Sequence, residues 1–180
     1  MKRVIIVTVA VMATIFMVST TATAAVHTGY LSVPPDAFVP KESSTTWFNN
    51  GASLYTAAAS EVVFFAPVFL PHGAVIKNVL LEATDNSTDG FVRAHLAQTV
   101  SYNNMASVIA DVQTSISGAD GEQQIACGIL DWTVDNQNHS YYIGLQIDNG
   151  TAGAYQCAFH KVMITYEYNS KNATVVIPIP

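Results

Sequence analysis

Oxygen donors at alternate positions are the first chemistry this sequence offers. Asp85, Ser87 and Asp89, followed by Gly90, read D-x-S-x-D-G, the opening of a calcium loop with a glycine for the sharp bend. The match ends early, because the twelfth position is Leu96 where such a loop needs a bidentate Glu. Calcium is therefore the one cofactor this pattern raises, and a polar turn the simpler expectation. Cys127 and Cys157 are the only cysteines, and both fall on the apolar parity of their segments. In an oxidising compartment they are expected either to bond, closing a loop of about 31 residues worth about 3–4 kcal/mol, or to pack as two small hydrophobes.

Asp131 and Asp135 flank Trp132. An aromatic face stacks on a sugar ring, and a carboxylate pair is what a glycosidase requires, so these three are the candidate ligand-binding residues. His27, His72, His95, His139 and His160 stand singly, without the close spacing of zinc ligands. A G-x-S-x-G elbow, a glycine-rich phosphate loop and H-E-x-x-H do not occur. The expectation is a protein that binds and does not catalyse, with an extracellular hydrolase as the weaker alternative.

The elements that must carry these residues read as strands. Residues 62–81, VVFFAPVFLPHGAVIKNVLL, place two apolar runs around Pro71-His72-Gly73 and predict two consecutive strands of one sheet. Both parities are apolar there, so the second face needs a cover. The candidates are the proline-rich arm around residues 33–40 and another molecule, with Phe65 and Phe69 as the interaction patch. Val92, Ala94 and Leu96 share one face, Val108, Ala110 and Val112 another, and Ile125, Cys127 and Ile129 a third. Asp120-Gly121 reads as a hairpin turn. Tyr141, Ile143, Leu145 and Ile147 alternate strictly with their neighbours, the clearest strand in the chain. From Tyr155, Cys157 and Phe159 to Val162, Ile164, Tyr166 and Tyr168 the apolar parity switches near His160-Lys161, which predicts a β-bulge or a change of sheet. About eight or nine strands without helical periodicity predict an all-β antiparallel sandwich, jelly-roll-like.

Residues 1–24 carry Lys2 and Arg3, an apolar run shorter than a membrane span, and Ala22-Thr23-Ala24, the order of a cleavable signal peptide. Its removal leaves one domain over residues 25–168, with a proline-rich N-terminal arm and a tail over residues 169–180. No membrane span is then expected. It also leaves 5 basic residues against 13 acidic, a formal charge of about −8, which gives little attraction for nucleic acid.

Four segments carry a resemblance: Val33-Pro34-Pro35-Asp36-Ala37-Phe38-Val39-Pro40, the Phe65-Ala66-Pro67-Val68-Phe69-Leu70-Pro71-His72-Gly73-Ala74 centre, Asp85-Asn86-Ser87, and Asn138-His139-Ser140-Tyr141-Tyr142. In these the chain resembles a group of secreted bacterial β-sandwich proteins. The resemblance implies export and the sandwich and brings no activity with it. The leading expectation is a secreted, extracellular or periplasmic structural or interaction module, partnered by itself or by an envelope protein. The alternative is a carbohydrate-binding, lectin-like module with a glycan as partner.

Overall fold

The computed structural model describes residues 25–58, 60–100, 105–115 and 121–169. The expected signal peptide and residues 170–180 of the tail lie outside these. Twelve strands form among the described residues: β1 (Val26–Val33), β2 (Val39–Pro40), β3 (Trp47–Asn49), β4 (Leu54–Thr56), β5 (Val62–Val68), β6 (Val75–Asp85), β7 (Phe91–Val100), β8 (Ala106–Gln113), β9 (Gly121–Ala126), β10 (Trp132–Thr133), β11 (His139–Asp148) and β12 (Cys157–Asn169). Four of them are only two or three residues long, which leaves eight that build the sheets. No helix of the described residues is long and apolar enough to cross a membrane.

The long strands pair as β9-β6-β12-β1 in sheet A and as β5-β11-β7-β8 in sheet B, antiparallel throughout. The chain crosses between sheets after β1, β2, β4, β5, β6, β8, β10 and β11, so that the sandwich is a jelly roll, as its strand pattern predicts. Alternation builds the core. Phe64, Leu81, Leu96, Ile143, Leu145, Phe159 and Ile164 are fully buried between the sheets. The ring of Phe38 meets Phe159 edge-on at 4.8 Å, and Trp47 meets Phe64 at 6.1 Å.

Three sequence expectations need correction. Residues 62–68 and 75–85 do not pair with each other. β5 lies in sheet B and β6 in sheet A, and Pro71-His72-Gly73, with Gly73 at φ +75°, is the corner between them. The proline-rich arm does not cover the outer face of β5 either. Its Val39 and Pro40 pair with Phe65 and Phe64 and extend the sheet edge, while Phe65 packs against Tyr142 at 5.6 Å. Gly121 leads from β8 in one sheet to β9 in the other, so it closes no hairpin, and Asp120 lies outside the described residues. The parity switch is a bulge: β12 shifts register between Phe159 and Lys161, leaving His160 as the extra residue.

Candidate functional site

The site is built on the outer face of sheet A, where β3 and β4 form a short hairpin beside β12. Asn49 and Asn50 fold the turn. Their Oδ1 atoms accept from the Gly51 amide at 2.8 Å and from those of Ala52 and Ser53 at 3.0 and 2.8 Å. Leu54 and Thr56 point inward, so period-two alternation turns Tyr55 outward, against Phe48 at 5.7 Å with ring planes 19° apart. Ala158 of β12 faces Tyr55 across the pair.

The third ring comes from the β11–β12 connection, about a hundred residues later in sequence. Asn149 is fully buried there and joins the two regions. Its Nδ2 donates to the Thr56 and Ala58 carbonyls at 3.0 and 2.7 Å, and its Oδ1 accepts from the Gln156 and Cys157 amides at 3.0 and 2.9 Å. The Tyr155 amide donates to the Thr56 carbonyl at 3.3 Å. Tyr155 sits at φ +65°, a left-handed conformation that a bulky residue adopts at a cost of about 1–3 kcal/mol and keeps only where its surroundings hold it. Its ring stands 5.6 Å from both Phe48 and Tyr55, at 63° and 81° to them. The three rings and Ala158 line a cleft of about 460 Å³, and Phe48 and Tyr155 remain 43% and 51% exposed.

A polar groove of about 420 Å³ lies on the same face, lined by Glu82, Ala83, Glu122, Gln123, Gln124 and His160. The bulge places His160 here, with Nδ1 3.1 Å from Ser53 Oγ and Nε2 2.7 Å from Thr84 Oγ1. Lys161 Nζ pairs with Glu82 at 3.0 Å, and Gln124 Nε2 donates to Glu82 at 3.2 Å. Tyr55, Ala158, Thr84 and Glu122 occupy one row across β4, β12, β6 and β9, a span of about 14 Å at three interstrand spacings. Rings at one end, the Thr84 hydroxyl and Glu122 carboxylate along the row and the Gln124 amide and Glu82 carboxylate beside it match what a sugar presents, an apolar face and a rim of hydroxyls. Ser53 and His160 have the contact of a nucleophile and its base. The far nitrogen of His160 meets a hydroxyl, however, where a triad sets a carboxylate to stabilise the imidazolium.

The residues nominated from sequence lie elsewhere. Trp132 is 37% exposed and pairs with Ile76 at the edge of sheet A. Asp131 is held by Lys77 Nζ at 2.7 Å. Asp135 accepts from Asn138 Nδ2 at 2.7 Å and from the Gln137 amide at 3.0 Å, bonds that keep its carboxyl below the usual range. The two carboxylates thus serve different partners and do not face each other across a cleft. Phe69 is 82% exposed beyond β5, whereas Phe65 is half-buried. Ile129 and Val108, expected on inward faces, are 93% and 58% exposed, because β9 ends at Ala126 and β8 shifts register against β7 between Ala110 and Val108.

The calcium-like loop is closed by protein donors. Asp85 is fully buried, its Oδ1 accepting from the Ser87 amide at 3.0 Å and its Oδ2 from Thr114 Oγ1 at 2.6 Å. Ser87 Oγ donates to the Asn149 carbonyl at 3.0 Å, and Asp89 takes the Thr151 amide and hydroxyl, which hold its carboxyl below the usual range. A calcium cage needs six to eight oxygens turned to the ion, and these are turned to N–H and O–H groups. Among the described residues no three His, Cys, Asp or Glu side chains are placed to hold a metal.

The disulfide is also corrected: both cysteines are free. Cys127 lies beside Val79 on one edge of β6, and Cys157 pairs with Asp85 on the other. Six residues of strand separate those levels, about 20 Å, far beyond the reach of a disulfide. Burial, with Asp85 beside it, pushes the Cys157 thiol up to about 12.

Sequence reading missed Phe48, Tyr55 and Tyr155. The available signal was the outward parity of Tyr55 between Leu54 and Thr56. By sequence Tyr155 shares the inward parity of Cys157 and Phe159, and its positive φ breaks that alternation.

No protein-family model and no curated protein matches the chain. Among solved structures it is similar to the xylan-binding module CBM15, with a TM-score of 0.47 and 14% identity over 77% of this chain and 97% of that one. It is also similar to the C-terminal CBM6 of LamC from Zobellia galactanivorans, with a TM-score of 0.47 and 9% identity over 76% and 99%. A CBM4 structure gives a TM-score of 0.43 and 16% identity over 75% and 92%.

Proposed function

We propose that this protein is an exported, non-catalytic carbohydrate-binding module that holds a glycan chain across the outer face of sheet A. The observation that carries this reading is the corner formed by Phe48, Tyr55 and Tyr155. These are three partly exposed rings around a cleft, with a row of hydrogen-bonding groups leading away from it. Tyr155 stands steeply to the other two rings, so they form a wall and a floor and offer no single flat plane. Such a corner suits one sugar ring of a soluble chain better than the surface of a crystalline polymer. Export rests on the order of charge, apolar run and small residues in residues 1–24.

Calorimetric titration with a panel of soluble β-linked gluco- and xylo-oligosaccharides tests the reading. At least one should bind. Phe48→Ala and Tyr155→Ala should each weaken it by about tenfold or more, which corresponds to about 1.4 kcal/mol. Trp132→Ala should leave the affinity unchanged. Absence of binding across the panel, or a loss on Trp132→Ala that Tyr155→Ala does not share, would overturn it.

A further inference from the structure

β1 is an eight-residue edge strand of sheet A, paired through its whole length with β12, from Val26 opposite Asn169 to Val33 opposite Val162. No described strand pairs with its other edge. Its sequence, VHTGYLSV, holds no Lys, Arg, Asp, Glu or Pro, and its register with β12 shows no bulge. Edge strands ordinarily carry one of these devices, because a bare row of N–H and C=O groups is a template for another chain.

The chain itself contains a segment whose sequence suits that edge. β12 ends at Asn169, and residues 175–179 read VVIPI, followed by Pro180. Backbone groups of successive residues in a strand face opposite edges. Paired as a strand, Val175, Ile177 and Ile179 would present one edge with all its N–H donors, while Pro178 and Pro180 would strip donors from the other. Such a segment can add to a sheet on one side and stop a third strand on the other. In its own chain it would leave the end of β12 beside Val26 and have to run parallel to β1, in a sheet whose described pairings are all antiparallel. From another molecule it can run antiparallel.

We propose that the outer edge of β1 receives residues 175–179 of a second copy of this chain. Reciprocal exchange of the two tails then closes a symmetric dimer, and the blocked edge keeps it from growing into a fibre. Native mass spectrometry or light scattering of the purified chain tests this, with four proteins measured in parallel. The full chain should have the mass of two copies, and a chain truncated after Asn169 the mass of one. Ile177→Pro, which removes a donor from the pairing edge, should give the monomer, whereas Val176→Pro, on the edge already blocked, should keep the dimer. A monomeric full chain would overturn the proposal, as would a dimer that survives truncation or one lost equally on Val176→Pro and Ile177→Pro.

Discussion

Both outer faces of this sandwich carry aromatic rings, and they use them in opposite ways. On sheet B, Phe65 meets Tyr142 at 5.6 Å and 76°, His95 meets Tyr142 at 6.3 Å and 80°, and the His95 ring lies directly on Gly144. Each ring there covers another ring or bare backbone, and the surface is closed. On sheet A, Phe48, Tyr55 and Tyr155 stand at comparable separations, but they surround Ala158 and leave about 460 Å³ between them. Aromatic content therefore does not distinguish a site from a packed surface. What lies beneath and between the rings does: a glycine lets a ring settle onto the sheet, while a methyl group beside a strained loop holds the rings around a gap.

The comparison assigns different consequences to damage on each face, and the largest concerns the residue that keeps the open face open. Asn149→Ala removes four hydrogen bonds at once, leaving the Gln156 and Cys157 amides and the Ala58 carbonyl without that partner, and the Thr56 carbonyl with the Tyr155 amide alone, in a buried or half-buried place. At about 1–3 kcal/mol for a buried group left unsatisfied, partly offset by water entering, the loss of stability should be about 3–5 kcal/mol by urea unfolding. Because the same bonds fix the loop that carries Tyr155, oligosaccharide affinity measured on the fraction still folded should fall as well. A variant that keeps full affinity would mean the rings hold their own geometry without the clasp.

Several of these features were legible in the sequence because they are local. Strict alternation from Tyr141 to Ile147 gave the central strand of sheet B, and the parity switch at His160 gave the bulge, since a strand cannot exchange faces without an extra residue. Sheet assignment was not legible in the same way. Residues 62–68 and 75–85 look like partners because they are neighbours in sequence, yet pairing in a jelly roll is settled by strands far apart in the chain. The aromatic corner failed for that reason too: it joins Phe48 and Tyr55 to a tyrosine about a hundred residues away, whose left-handed backbone takes it out of register with the strand it precedes. Trp132 attracted attention by residue type and by its acidic neighbours, although its strand of two residues only caps an edge. The cysteines misled by parity, which shows that two side chains both point inward and says nothing of how far apart they lie along β6.

On the closed face the expected response is confined to stability. A Cβ at Gly144 would collide with the imidazole of His95, so Gly144→Ala must push that ring off the sheet. Overpacking of this kind costs about 1–3 kcal/mol. Chemical denaturation should show a loss of that size with oligosaccharide affinity unchanged, the converse of Tyr155→Ala. If Gly144→Ala weakened binding as strongly as it weakened the fold, the two faces would be coupled through the core and the contrast between them would fail.

The smallest effect tests whether the sheet B rings are closed to water as well as to ligands. Burial is the main influence on His95 and lowers its pKa from the ordinary 6.5; Asp111 opposes this and Arg93, paired with Asp111, adds to it. With the folded value depressed, the unfolded chain binds the proton more readily than the folded one. The contribution of His95 to stability is then fully present above about pH 6.5 and is lost as pH falls toward the folded value. Melting temperatures taken between pH 7.5 and 5 should decline in the parent protein, and His95→Phe, which keeps a ring over Gly144 without a titrating group, should decline less steeply. Equal slopes for the two would mean that the imidazole takes its proton as freely in the folded protein as in water, and that the face over Gly144 is open after all.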